Sequence, residues 1–185
     1  MITTYIGPMF SGKSQKLLDI YDGIYNKNNI YCFKPIIDTR DNAFIKSRVN
    51  NNKLFSFLID EFEDIPNILE NNKDLNCDGK IILIDEAQFL KGNVKVLLNL
   101  SIIKNYDIFI AGLNLTSELK PFKSMSELLA ISDQIEKLYS TCYFCGKRAK
   151  YTYCNVSKES DILVGSDQYI AICDKCIKYK TNLLN

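Results

Sequence analysis

Short apolar runs and helically spaced stretches alternate along the first two thirds of this 185-residue chain. Residues 2–6 read as a strand, and Leu17, Leu18, Ile20, Tyr21 and Ile24 then supply the apolar face of a helix reaching about Lys27. Residues 30–33 predict a second strand, 54–59 a third and 65–69 a short helix. Ile81-Ile82-Leu83-Ile84 is a continuous apolar run, the pattern of a strand buried on both faces. Residues 94–103 return to helical spacing, and 108–111 form another buried strand. Strand and helix in alternation predict an α/β fold with a parallel sheet. Asp41 to Lys53 has little apolar content and is expected to be mobile. Near Tyr139 the pattern breaks: cysteines come in pairs, polar residues dominate, and nothing is long enough for a core helix. The expected division is an α/β domain over 1–139 and a small cysteine-held lobe over 140–185, with no internal repeat.

The chemistry begins where the first strand ends. GPMFSGKS, Gly7 to Ser14, fits G-x-x-x-x-G-K-[ST] between a predicted strand and a predicted helix. In that setting backbone N–H groups converge on phosphate oxygens, Lys13 reaches the β- and γ-phosphates, and the Ser14 hydroxyl ligates Mg²⁺. The candidate nucleotide-binding residues are therefore Gly7, Met9, Phe10, Ser11, Gly12, Lys13 and Ser14; the competing reading is a plain tight turn. The run IILIDEAQF, Ile81 to Phe89, ends a buried strand on Asp85, where a Walker-B carboxylate reaches Mg²⁺. Glu86 follows, points off the metal on an extended chain, and suits a general base; an exposed helix cap is the alternative. Leu58-Ile59-Asp60-Glu61 imitates this pattern, but Ser56 interrupts its upstream run and more acids follow, so it reads as a strand end and solvated turn.

Charge and cysteine usage narrow the class. Lys+Arg 23 against Asp+Glu 22 leaves a net charge of +1, which disfavours a dedicated nucleic-acid binder. No apolar run is long enough to span a membrane, and the N-terminus lacks signal-peptide regions, so the expected compartment is the cytoplasm, where thiols stay reduced. Of the seven cysteines, Cys142-x-x-Cys145 and Cys173-x-x-Cys176 form two knuckles 27 residues apart, and there is no histidine. Four thiolates so arranged suit a closed, structural Zn²⁺ site with a long excursion between the knuckles. Cys32, Cys77 and Cys154 stand alone, Cys32 as core packing.

With these motifs in order, the chain resembles the cellular-type, zinc-containing thymidine kinases from Ile6 to Cys176. GPMFSGKS, KPIIDTR (Lys34 to Arg40), DEAQF, the Lys120-Pro121-Phe122 segment and both knuckles carry the resemblance. It implies a P-loop, RecA-like parallel-sheet domain with a small C-terminal zinc-ribbon and lasso domain, and transfer of the ATP γ-phosphate to the 5′-hydroxyl of thymidine. Glu86 matches the family's general base and Arg40 the arginine that acts on the phosphates, with Lys13 beside them. Met9 matches a residue lining the family's base pocket, and Phe89 and Phe122 match the apolar walls around it. The excursion between the knuckles matches a lasso loop that closes over the nucleoside, placing Thr152, Ile162, Val164, Gly165 and Tyr169 at substrate-binding positions. Phe122 and Tyr169 also admit a reading as plain core aromatics. ATP, Mg²⁺ and structural Zn²⁺ are the implied cofactors, and a homotetramer with no nucleic-acid or membrane partner the implied assembly.

Asp41, Asn114, Ser117 and Ser166 depart from the family's usual residues, which bears on thymidine against deoxyuridine. Two rivals remain at this level. DEAQ and a zinc ribbon also suit a nucleic-acid-stimulated P-loop ATPase, although 185 residues hold only one RecA-like domain. The other rival is a nucleotide-binding regulator without turnover.

Overall fold

A computed structural model describes residues 1–25, 27, 30–46, 52–72, 80–155 and 168–181. In chain order its first elements are β1 (Ile2–Ile6), α1 (Lys13–Gly23), β2 (Ile30–Pro35), β3 (Phe44–Lys46), β4 (Lys53–Phe55) and β5 (Phe57–Ile59). There follow α2 (Asp64–Asn71), β6 (Lys80–Ile84), α3 (Lys95–Ile102), β7 (Tyr106–Gly112), α4 (Lys123–Ile131) and β8 (Gln134–Lys137). The remainder contains β9 (Ser140–Thr141), β10 (Arg148–Ala149), β11 (Tyr151–Cys154), β12 (Tyr169–Ile172) and α5 (Asp174–Thr181).

Six strands form one sheet in the order β5-β2-β6-β7-β1-β8, and every pairing in it is parallel. Side chains alternate across a strand, so each buried strand feeds two cores. Ile82 and Ile84, with Ile6, Phe33, Ile108 and Ile110, join Leu97, Leu100, Met125 and Leu128 on the face covered by α2, α3 and α4. Leu83, Tyr5, Cys32 and Ala111 pack on the other face against Leu17 and Leu18 of α1 and against Ile45 and Leu54 of the β3–β4 hairpin. Each fully buried aliphatic or Phe side chain contributes about 1.5–3 kcal/mol. This double covering explains why residues 81–84 are apolar without a break. Among the described residues, no helix is long and apolar enough to cross a membrane.

Several boundaries differ from expectation. The first helix stops at Gly23 because Ile24 turns extended, its N–H bonded to the Tyr21 carbonyl, so the predicted span to Lys27 is too long. The single strand expected over 54–59 is two strands. Ser56 is buried, and its N–H and Oγ both donate to the Ala43 carbonyl, at 2.9 and 3.2 Å. That bend leaves Lys53–Phe55 antiparallel to β3 and sends Phe57–Ile59 to the sheet edge beside β2. The stretch 41–53, expected to be mobile, contains β3, whose Ile45 is 1% exposed; residues 47–51 lie outside the described residues. α4 and β8 are not among the expected elements. The Asp60-Glu61 imitation is a strand end: Asp64 Oδ2 accepts both of their N–H groups at 3.1 Å as the chain turns into α2.

After β8 the chain leaves the six-stranded sheet for two two-stranded antiparallel pairs, β9–β10 and β11–β12. They share a small core of Cys142, Ala149, Ala171, Ile172, Cys173 and Ile177.

Candidate active site

The end of β1 sets the first wall. A Cβ at Gly7 would stand 2.5 Å from the Leu138 carbonyl oxygen, so only glycine lets the backbone after β8 pass this close. The loop then takes positive φ at Phe10 (64°) and at Gly12 (82°), which caps α1. For Phe10 that conformation is costly, as at many ligand-binding turns. No acidic residue lies in the first turn of α1, leaving its positive end open to an anion. Lys13 is folded into its own loop, its Nζ donating to the Pro8 carbonyl at 2.6 Å and lying 3.4 Å from Ser11 Oγ. Burial pushes its pKa down, against the opposing charges of Glu86 and Asp85.

The second wall follows β6. Asp85 is buried, its N–H bonded to the Phe33 carbonyl at 3.0 Å, and its carboxylate accepts a hydrogen bond from Ser14. Burial and the neighbouring Glu86 charge together raise its pKa well above the ordinary carboxylate range. The Ser14–Asp85 pair is the predicted Mg²⁺ position, and the two side chains do meet. Glu86 is not on an extended chain as expected: it adopts φ 51°, ψ 36°, with its N–H turned back to Asp85 Oδ1 at 3.0 Å. This left-handed turn aims its carboxylate across the cleft. One oxygen accepts from Gln88 Nε2, while Gln88 Oε1 accepts the Leu113 N–H at 2.9 Å. Gln88, given no role from sequence, is 6% exposed and anchors the base candidate to the end of β7.

KPIIDTR supplies the third wall as a chain of charges. Lys34 Nζ lies 3.1 Å from Asp38 Oδ2, both almost fully buried. Arg40 Nε donates to Asp38 Oδ1 at 2.6 Å, and its Nη2 pairs with Glu86 Oε1 at 2.7 Å. Burial works against ionising Asp38, but the hydrogen bond and charge of Arg40, with Lys34, outweigh it and hold its pKa low. Arg40 is raised in turn by its carboxylate partners, despite burial. The resemblance assigns a role to Arg40 and none to Lys34 or Asp38; the signal in the sequence is an acid two residues before the arginine in the same motif.

These walls enclose a cavity of about 300 Å³ lined by Met9 to Gln15, Arg40, Lys46, Glu86 and Leu113. A small polar cavity of about 40 Å³ shares Ser14, Arg40, Lys46 and Glu86 and adds Lys34, Asp38 and Asp85. Phe89, at the end of a 3₁₀ turn (Ala87–Phe89), meets Phe122 edge to face at 6.1 Å between ring centroids. Ser124 Oγ, near the start of α4, donates to the Gln88 carbonyl at 3.0 Å and holds this aromatic pair beside the DEAQF turn. Thr152, 5% exposed on β11, accepts the Met9 N–H on its Oγ1 at 2.9 Å, joining the small lobe to the phosphate loop. Tyr169 opens β12 opposite Cys154. Ile162, Val164 and Gly165 lie outside the described residues, as do Ser166 and Cys77.

The two knuckles converge. The Sγ atoms of Cys142, Cys145, Cys173 and Cys176 all lie within 4.8 Å of one another, with Cys145 and Cys173 at 3.6 Å. Tetrahedral zinc with Zn–S bonds of about 2.3 Å needs sulfurs about 3.8 Å apart, so the set fits. Burial opposes ionisation of Cys142, but backbone N–H groups of Cys173, Cys145 and Phe144 bring its pKa below the usual thiol range, favouring the ligand form.

The chain matches the family described as "Thymidine kinase" over residues 1–177. It is 35% identical over 173 residues to a thymidine kinase of Mycoplasma genitalium, covering 90% of this chain and 78% of that one. A thymidine kinase of Choristoneura fumiferana entomopoxvirus is 35% identical over 185 residues, covering 97% and 96%. One from Bdellovibrio bacteriovorus is 30% identical over 179 residues, covering 96% and 85%.

Proposed function

The chain belongs to the thymidine kinase family, and from that premise we propose how its own residues transfer the γ-phosphate of ATP to the 5′-hydroxyl of thymidine. It is an ATP-dependent nucleoside kinase that makes thymidine 5′-monophosphate. The observation that carries the assignment of roles is the meeting of Glu86, Arg40 and the phosphate loop around one cavity.

The N–H groups of Phe10 to Ser14 receive the ATP phosphates, and Lys13 exchanges the Pro8 carbonyl for a phosphate oxygen. Ser14 and Asp85 would hold Mg²⁺, which neutralises charge on the β- and γ-phosphates. Thymidine lies with its base against Met9, Phe89 and Phe122, covered by the lobe through Thr152, Ile162, Val164, Gly165 and Tyr169. Glu86 accepts the 5′-hydroxyl proton as the O5′–Pγ bond forms and the bond to the β-phosphate oxygen breaks, releasing ADP. Arg40, already aligned by Asp38, moves from Glu86 towards the transferring phosphoryl group; this frees the base and places positive charge where charge develops. Thiolates of Cys142, Cys145, Cys173 and Cys176 hold Zn²⁺ and tie the ends of the covering segment together. In this division residues 1–139 carry phosphate chemistry and 140–185 close over the nucleoside. Deoxyuridine is admitted to the extent that the pocket tolerates loss of the base methyl group.

The reading includes a cytoplasmic homotetramer with no nucleic-acid or membrane partner. Exposed Ile102, Ile103 and Ile135, at 72, 68 and 52%, support association, and light scattering on the purified chain tests it. The reaction is tested by ADP release with ATP and Mg²⁺ in the presence of thymidine, deoxyuridine, deoxycytidine, uridine or single-stranded DNA. Thymidine-dependent release with thymidine monophosphate as product is expected; stimulation by DNA alone would overturn it.

A further inference from the structure

Four cations stand in the walls of the two cavities, and they differ in how firmly each is held. Lys13 Nζ donates to a carbonyl at 2.6 Å. Arg40 is gripped by two carboxylates at 2.6 and 2.7 Å. Lys34 sits in a fully buried pair at 3.1 Å. Lys46 is different: its Nζ lies 3.9 Å from Asp41 Oδ1, beyond hydrogen-bonding range, and its side chain is 42% exposed. An exposed pair of that kind contributes little, so Lys46 is the cation most cheaply turned towards a new anion.

Its backbone is fixed all the same. Ile45 and Leu54, directly opposite in the β3–β4 hairpin, are buried against Leu17 and Leu18 of α1. Alternation then turns Phe44 and Lys46 to the other face, where both line the smaller cavity with Ser14, Asp85 and Glu86. Lys46 also lines the larger cavity beside the phosphate loop. Directly across the ladder from Lys46 stands Lys53, its Nζ 5.0 Å from the Phe44 ring centroid. Like charges facing one another in an antiparallel pair are unfavourable, and a bound polyanion relieves them.

We propose that Lys46 is a phosphate-binding residue of the ATP site, presented by the β3–β4 hairpin and resting on Asp41 until the nucleotide arrives. The inference depends on ATP occupying the phosphate loop, and it adds a contact that the P-loop, DEAQF and KPIIDTR motifs do not contain. ATP is the ligand, because Lys46 shares its cavity with Ser14 at the mouth of α1, whereas the aromatic walls read as nucleoside pocket stand beside the DEAQF turn. Asp41 acts as the resting counter-ion, and its loss leaves Lys46 free for phosphate.

The test compares Lys46→Met, Lys46→Arg and Asp41→Asn in the 185-residue chain by two measurements. One is the Kd for a non-hydrolysable Mg-ATP analogue by calorimetry; the other is steady-state kinetics for both substrates. Lys46→Met is expected to weaken nucleotide binding and raise the ATP KM about tenfold, the size of one lost charge-assisted contact. The thymidine KM should stay within twofold, Lys46→Arg should recover most of the loss, and added salt should narrow the gap from wild type. Asp41→Asn should bind the analogue slightly more tightly. Unchanged analogue Kd in Lys46→Met would overturn the proposal. So would equal losses in Met and Arg variants with a lowered Tm, since these mark a structural role. A wild type that binds the analogue but does not phosphorylate thymidine would sink the kinase assignment alone, because the binding measurement still decides whether Lys46 touches phosphate.

Discussion

Replacing Asp38 with Asn removes one negative charge from the middle of the row Lys34, Asp38, Arg40, Glu86. The Lys34 side chain is 2% exposed and Asp38 4%, so bulk water does not solvate the ammonium left behind. Breaking a buried pair by removing one partner costs about 3–5 kcal/mol. For a chain of this size each kcal/mol moves Tm by roughly 2–4 °C, so Asp38→Asn should melt roughly 6–20 °C below wild type. Scanning calorimetry or circular dichroism measures it. The companion double variant, Lys34→Met with Asp38→Asn, should regain much of the loss, because it no longer strands a charge. Acid titration gives an independent check. The folded pKa of Asp38 is depressed, so its contribution to stability is present above its unfolded value of about 3.9 and fades as pH falls through the folded one. Wild type should therefore lose stability below about pH 4 more steeply than Asp38→Asn. A single variant melting within 2 °C of wild type, or a double variant worse than the single, would refute the picture of a buried, mutually dependent row.

Glu86→Gln should bind both substrates and lose about 10²–10⁴-fold in kcat, measured by steady-state kinetics beside calorimetric binding; near-normal kcat would remove Glu86 as base. Gln88→Ala strands the Leu113 N–H and releases Glu86, so kcat should fall about tenfold with little change in the ATP KM, and an effect on KM alone would mean that Gln88 only shapes the pocket. Cys142→Ser should release zinc, read by elemental analysis, and raise the thymidine KM; retained zinc with unchanged KM would contradict the anchoring role.

The parts of this molecule legible in its sequence are those where a backbone or metal constraint dictates residue type. Gly7 answers a carbonyl at 2.5 Å from its missing Cβ, Lys13 and Ser14 follow at fixed spacing, and four cysteines converge in a set that could hold one ion. The buried strands are legible for a related reason, since a run covered on both faces, as at Ile82 to Ile84, can hold nothing but apolar side chains. β3 and β8 give no such signal. Three or four residues long, they carry mostly half-buried or exposed side chains, and all four residues of β8 face solvent. The spacing of Met125, Leu128 and Leu129 does suit a helix, so α4 was open to prediction. The Lys34–Asp38 pair depends on the turn through Ile36 and Ile37, closed by the Asp38 and Thr39 N–H groups donating to the Pro35 and Ile37 carbonyls, which no residue pattern announces. The left-handed Glu86 is the same kind of case: local conformation at a reacting group, set by the packing of its neighbours.

The hydrogen bond from the Met9 N–H to Thr152 Oγ1 joins two parts of the chain 143 residues apart, one within the phosphate loop and the other on the lobe proposed to cover the nucleoside. A contact shared in this way makes the two binding equilibria interdependent. If filling the loop with nucleotide strengthens or strains that bond by RT ln α, the affinity for nucleoside changes by the factor α. Reciprocity then obliges nucleoside to change the affinity for nucleotide by the same factor, whichever arrives first. Order of addition cannot alter the closed ternary state, only the route to it, and a substitution at Thr152 that keeps the strand intact would bring α towards one while leaving each substrate able to bind alone.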